Sequence, residues 1–151
     1  MWNDTTPTSS VFSVGTYGES NGSGDAMIAY CMHSVKGFSK VGHYTGQGSA
    51  NQIIYTGFRP GFLLIRKQGA TANWIMIDCK RVGHNNDNEV LEAHGSGVEQ
   101  TAVGDRVDIL STGFRIRNSW SDINTDGEMY IYYAIAEFPL VGTNNIPGVA
   151  R

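Results

Sequence analysis

The run MYIYYAIAEF, Met129–Phe138, sets the strongest limit on how this chain can fold. Read with a period of two, one side carries Tyr130, Tyr132, Ala134 and Ala136, and the other Ile131, Tyr133, Ile135 and Glu137. Both sides are largely apolar, which predicts a central strand covered on both faces, unlike a half-solvated edge. The small Ala134 and Ala136 leave room for a bulky side chain opposite. Trp74, in NWIMID, is the expected filler.

Shorter pieces repeat the theme: VFSV (11–14), AMIAYCMHSV (26–35), GFSKVGHY (37–44), IIYTGF (53–58), RPGFLLIRK (59–67), WIMIDCKR (74–81), VDIL (107–110) and GFRIR (113–117). They are rich in β-branched and aromatic residues and are punctuated by Gly/Asn/Ser/Asp turns, which is the pattern of short strands. The helix candidate, NEVLEAHG (88–95), is too short and too sparsely apolar for more than one turn. These observations predict an all-β fold, a β-sandwich of jelly-roll or concanavalin-like type. A chain of 151 residues suits one domain. Its expected bounds are 11–139, with polar arms at 1–10 and 140–151.

Two internal echoes accompany the strands. GDAMIAYCMHS (24–34) matches GEMYIYYAIAE (127–137), setting Gly24 on Gly127, Ile28 on Ile131 and Tyr30 on Tyr133. TGFRPGF (56–62) matches TGFRIRN (112–118). Strands of one recipe suit neighbouring positions in a sheet, although shared β composition alone can produce such echoes.

Charge narrows the function classes. With 11 Lys and Arg against 14 Asp and Glu, net charge −3 and no basic cluster, nucleic-acid binding lacks electrostatic support. No apolar run reaches the ~18–20 residues of a membrane helix, and MWNDTTPTSS has neither the basic nor the apolar region of a secretory signal. Cys31 and Cys79 lie in apolar runs and are expected as small, buried, reduced side chains, with a disulfide as the alternative.

Candidate chemistry is sparse. DINTDG (122–127) fits the opening of a calcium loop, with Asp122, Asn124 and Asp126 as ligands, but Tyr133 stands where the loop needs its bidentate Glu. A polar turn launching a strand is the better reading. The loop GHNNDNEVLEAHG places His84, Asp87, Glu89, Glu92 and His94 close in sequence, without recognised metal-ligand spacing. It reads as a solvated loop in which a recognition surface could sit. There is no G-x-S-x-G elbow and no phosphate-cradling Gly-Lys-Ser/Thr, and strand-borne acids such as Asp78 and Glu137 form no i, i+2 pair. No catalytic residue and no cofactor are expected. Tyr17, Tyr44 and Trp120 are possible platforms for a sugar ring, though aromatics in β proteins are more often core.

The phrases WNDTTPTSSVFSVGT, VKGFSKVGHYTGQGS, IYTGFRPGFLLIRKQGATANWIMIDCKR, LSTGFRIRNS and MYIYYAIAEFP together resemble a module of tail-fibre-like and other virion structural proteins of aquatic tailed bacteriophages. The resemblance runs from about Trp2 to Pro139, and none of its motifs is catalytic. It implies a non-enzymatic β-sandwich on the phage particle surface, head or tail, acting in decoration, assembly or host adhesion. The implied partners are other virion proteins and copies of itself, a homotrimer by analogy, with a host surface glycan as a further possibility. Neither nucleic acid nor membrane insertion is expected. Trp2 could dock into a neighbouring subunit or pack on its own domain; Trp120, His84 and His94 are the binding candidates. The alternative is a stand-alone carbohydrate-binding or glycan-degrading β-sandwich.

Overall fold

The computed structural model describes residues 3–69, 71–81, 85, 89–101 and 104–139. The chain divides into two compact units, Met1–Cys31 and Met32–Arg151.

Among the described residues of the first unit the one regular element is a single turn, α1 (Gly18–Asn21), closed by bonds from the N–H groups of Ser20 and Asn21 to the Tyr17 carbonyl. None of residues 3–31 is buried. The strands expected at 11–14 and 26–35 do not form. Ile28 and Tyr30 are 82% and 83% exposed, and Cys31 is exposed rather than buried.

The second unit is all-β. Its strands are β1 (Ser39–Thr45), β2 (Gln52–Tyr55), β3 (Pro60–Lys67), β4 (Ile75–Asp78), β5 (Leu91–Glu92), β6 (Val107–Leu110), β7 (Gly113–Ile116) and β8 (Met129–Ala136), with one helical turn, α2 (Ser121–Asn124), before β8. Two antiparallel sheets result, ordered β1-β8-β3-β4-β5 and β2-β7-β6. Strict alternation builds the core between them. Leu63, Ile65, Ile75, Ile77, Tyr130, Tyr132 and Ala134 come from the larger sheet; Ile54, Val107, Ile109, Phe114 and Ile116 come from the smaller. Phe114 stands edge-on to Tyr132 with ring centroids 5.4 Å apart and edge-on to Tyr44 at 6.2 Å, so one aromatic knits the two layers.

β8 is central, between β1 and β3, as its sequence predicts. Its second face is nonetheless open: Met129 and Ile131 are exposed, as is Val41 on β1. Trp74 is not the filler behind Ala134 and Ala136. It is half-buried, one residue before the inward-facing Ile75, so alternation turns it to the outer side. Over its described residues, 89–95, the helix candidate is instead the bridge Val90–Gln100 followed by β5. The second echo proves spatial. The Thr112 carbonyl accepts from the N–H groups of Thr56 and Gly57, so the two Thr-Gly-Phe phrases lie side by side.

The missing strand at 26–35 has a local cause. Val35 bridges Ser39 as a hairpin would, but the next rung is taken by side chains. The Ser34 hydroxyl accepts from the Val41 N–H at 3.0 Å and donates to its carbonyl at 3.3 Å, while the Ser39 hydroxyl donates to the His33 carbonyl at 2.8 Å. Local hydroxyl bonds of this kind compete with ladder bonds.

Candidate functional site

The DINTDGE segment is architecture with a polar fringe. Ile123 and Asn124 of α2 are fully buried. The Tyr44 hydroxyl donates to the Ile123 carbonyl at 2.7 Å, and the Tyr130 hydroxyl donates to the Ser121 carbonyl at 2.8 Å. The two rings stack at 5.2 Å beneath the turn, and burial, followed by the neighbouring Tyr130, pushes the Tyr44 hydroxyl well above its ordinary pKa. Tyr44 is therefore a core post, not a platform for sugar.

The Asn124 amide is spent on backbone. Its oxygen accepts from the Gln47 N–H at 2.9 Å, and its nitrogen donates to the Ser49 and Asn118 carbonyls at 2.8 and 2.7 Å. Asp122 turns instead to the Asn73 amide, and Asp126 is exposed. The three candidate calcium ligands do not converge. Among the described residues no group of three or more His, Cys, Asp or Glu is arranged to hold a metal ion.

Around Asp122 lies the densest polar cluster. The Asn73 amide donates to Glu92 at 2.8 Å and to Asp122 at 3.2 Å; Gln100 donates to Glu92 at 2.6 Å and accepts from Arg106 at 3.4 Å. The Arg106 guanidinium lies 3.4 Å from the centre of the Trp120 ring. Burial lowers the Arg106 pKa, against the opposing pull of Asp122 and Glu92. Beside this cluster, Arg66 covers Trp74 at 5.0 Å, and the exposed His94 accepts the Trp74 N–H at 3.3 Å through Nδ1. The fold thus gathers Trp120, Asp122 and Glu92 into one network and brings His94 to its neighbour Trp74. His84, Asp87 and Trp2 lie outside the described residues. Sequence reasoning missed Asn73, Gln100 and Arg106, because nothing local marks a residue whose role comes from distant partners.

Two other charged groups are structural clamps. Glu137 is held by Arg59 at 2.5 Å and Lys80 at 2.9 Å. The Lys80 hydrogen bond, against the cost of burial and aided by Arg59, holds its carboxyl at about 2. Cys79 is half-buried and unbridged beside it, its thiol pushed up by burial and then by the Glu137 charge. On the outer side of the smaller sheet, Oδ2 of the buried Asp108 accepts from Arg115 and Arg117, while its Oδ1 has no partner among the described residues.

Two antiparallel sheets closing on one interdigitated core define a β-sandwich, here with a tryptophan–arginine–carboxylate network on its surface. The chain belongs to the DUF7483 family, a domain of unknown function whose family model matches residues 1–139. No curated protein and no solved structure matches the chain.

Proposed function

We propose that this chain is a non-enzymatic structural component of a bacteriophage virion, a surface-displayed β-sandwich acting in particle decoration and assembly or in host adhesion. Its resemblance to tail-fibre-like modules suggests the setting. The observation that carries an interfacial role is exposed apolar surface: Val11, Tyr17, Met27, Ile28 and Tyr30 are all exposed, and none of the described residues 3–31 is buried. Large apolar side chains left in solvent in such number suit association with a partner surface. Assembly is favoured over adhesion through Trp120, because Arg106 already occupies the ring face on which a sugar would stack. Imaging of assembled particles with an antibody against the chain tests this reading; particles that lack the protein would overturn it.

A second reading, a carbohydrate-binding sandwich, draws on the Asn73–Glu92–Asp122–Gln100 cluster, whose amides and carboxylates suit sugar hydroxyls. A glycan array distinguishes the two. Binding abolished by Asn73→Ala would favour the second.

A further inference from the structure

Among the described residues three of the four sheet edges are met, at least at part of their length, by bonds from the chain itself; on β1 the His43 backbone has no such bond. Hydrogen-bond parity sets which backbone groups of each edge strand face outward. On β1 they belong to Ser39, Val41, His43 and Thr45. Val35 takes Ser39, the Ser34 hydroxyl takes Val41, and the Gln52 amide donates to the Thr45 carbonyl. On β6 the Asn85 amide both donates to and accepts from Ile109, at 3.1 and 2.6 Å. Beside β5, Val90 exchanges both its bonds with Gln100.

β2 is different. Its Ile54 carbonyl points at β7, so the N–H and C=O groups of Ile53 and Tyr55 face the open side, and no backbone bond reaches them from the described residues. Their side chains are 44% and 70% exposed. The strand Gln52–Tyr55 carries no charge, proline or bulge to discourage pairing, which are the usual protections of an edge.

The same molecule carries a strand without a sheet. Ala26–Met32 makes no backbone hydrogen bond among the described residues and carries no charge. Its sequence echoes β8, and the echo extends to the backbone: Gly24 and Gly127, each just ahead of its segment, have φ of +83° and +74°. One of these glycines launches a paired central strand. The other launches a segment whose largest side chains, Ile28 and Tyr30, stand in solvent.

We propose that Ala26–Met32 of one copy adds to the β2 edge of a second copy, extending its three-stranded sheet to four. A second copy fits because each chain supplies one donor and one acceptor, so the exchange can close on itself. Continuation along the donor's own β1 is stopped where Ser34 and Ser39 hold Val41 and His33. Main-chain bonds would give the affinity, as in β-strand addition generally, and Ile28 and Tyr30 would gain apolar neighbours in Ile53 and Tyr55. The inference deepens the assembly reading above, yet it does not need the assembly to be a virion.

Sedimentation of the full chain over a concentration series, with hydrogen exchange read on the same samples, tests it. The expected result is a mass of at least two chains, with amides 27–32 and those of Ile53 and Tyr55 gaining protection as the larger species forms. Ile28→Asp on the donor and Ile53→Pro on the acceptor should each return the chain to monomer. The Ile53 N–H plays no part in β2–β7 pairing, and near-UV circular dichroism reports whether the core survives. Should Ile53→Pro unfold, Ile28→Asp decides alone, because it lies where nothing is buried. A monomer at all concentrations would overturn the exchange, as would protection of 27–32 without a change in mass, or association that neither substitution weakens. A monomer leaves the particle-imaging test standing, and absence from particles leaves the exchange standing.

Discussion

The Arg106 guanidinium lies over Trp120, 3.4 Å from the ring centre, and couples the residue just ahead of β6 to the one just ahead of α2. Trp120 also packs against the core. Trp120→Ala should cost about 2–3 kcal/mol, combining lost burial with the lost cation–π contact. Trp120→Phe should recover roughly half. Urea denaturation of the three proteins checks this; equal midpoints would show that the stack contributes nothing.

Glu137 should dominate the acid sensitivity of the fold. Its carboxyl sits at about 2 in the folded chain against an ordinary 4.5, so it stabilises the fold above pH 4.5. That contribution drains away as pH falls from 4.5 toward 2. Because Lys80 is 71% exposed, solvent screening reduces the effect to about 2 kcal/mol. Melting temperatures measured across this window should fall steeply in the natural chain and more gently in Glu137→Gln.

Asn124→Ala should be among the costliest polar truncations. It leaves the Gln47 N–H and the Ser49 and Asn118 carbonyls without their partner, a loss of roughly 3 kcal/mol. Since this amide is committed to backbone, calcium should leave the melting temperature unchanged in both proteins. A calcium-induced rise would reinstate the loop as a metal site.

A methyl group at Gly113 would run into the Ile54 carbonyl oxygen, which belongs to the paired backbone of β2 and cannot swing aside. Gly113→Ala should therefore cost about 3 kcal/mol. Gly97, which has open space around its would-be Cβ, serves as control: Gly97→Ala should stay within about 0.5 kcal/mol. Calorimetry of the pair gives the comparison.

The sheets were largely legible because alternation and turn chemistry are local. MYIYYAIAEF, RPGFLLIRK and GFRIR each become strands where the period of two places them. AMIAYCMHSV has the same local recipe yet pairs only at its last residue, Val35, since propensity specifies a willingness to pair and not the presence of a partner. Trp74 could have been placed better from its neighbours: Ile75 and Ile77 claim the core side, which leaves Trp74 and Met76 for the other. Of the surface network, Trp120, Asp122 and Glu92 stood out as an aromatic and acids in polar loops. Asn73, Gln100 and Arg106 did not, because their bonds span up to 49 positions of sequence.

The antiparallel pairing of β1 with β8 sets the Phe38 carbonyl against the Ala136 N–H at one end of the ladder. A pull transmitted through the residues preceding 33 and following 137 would meet the Val35–Ser39 bridge and the Glu137 clamp, and would then load that rung. The strands would peel apart like a zip, each bond failing in turn, instead of resisting together in shear. The domain should yield at modest tension and re-close when released, as a compliant link behaves and a rigid strut does not.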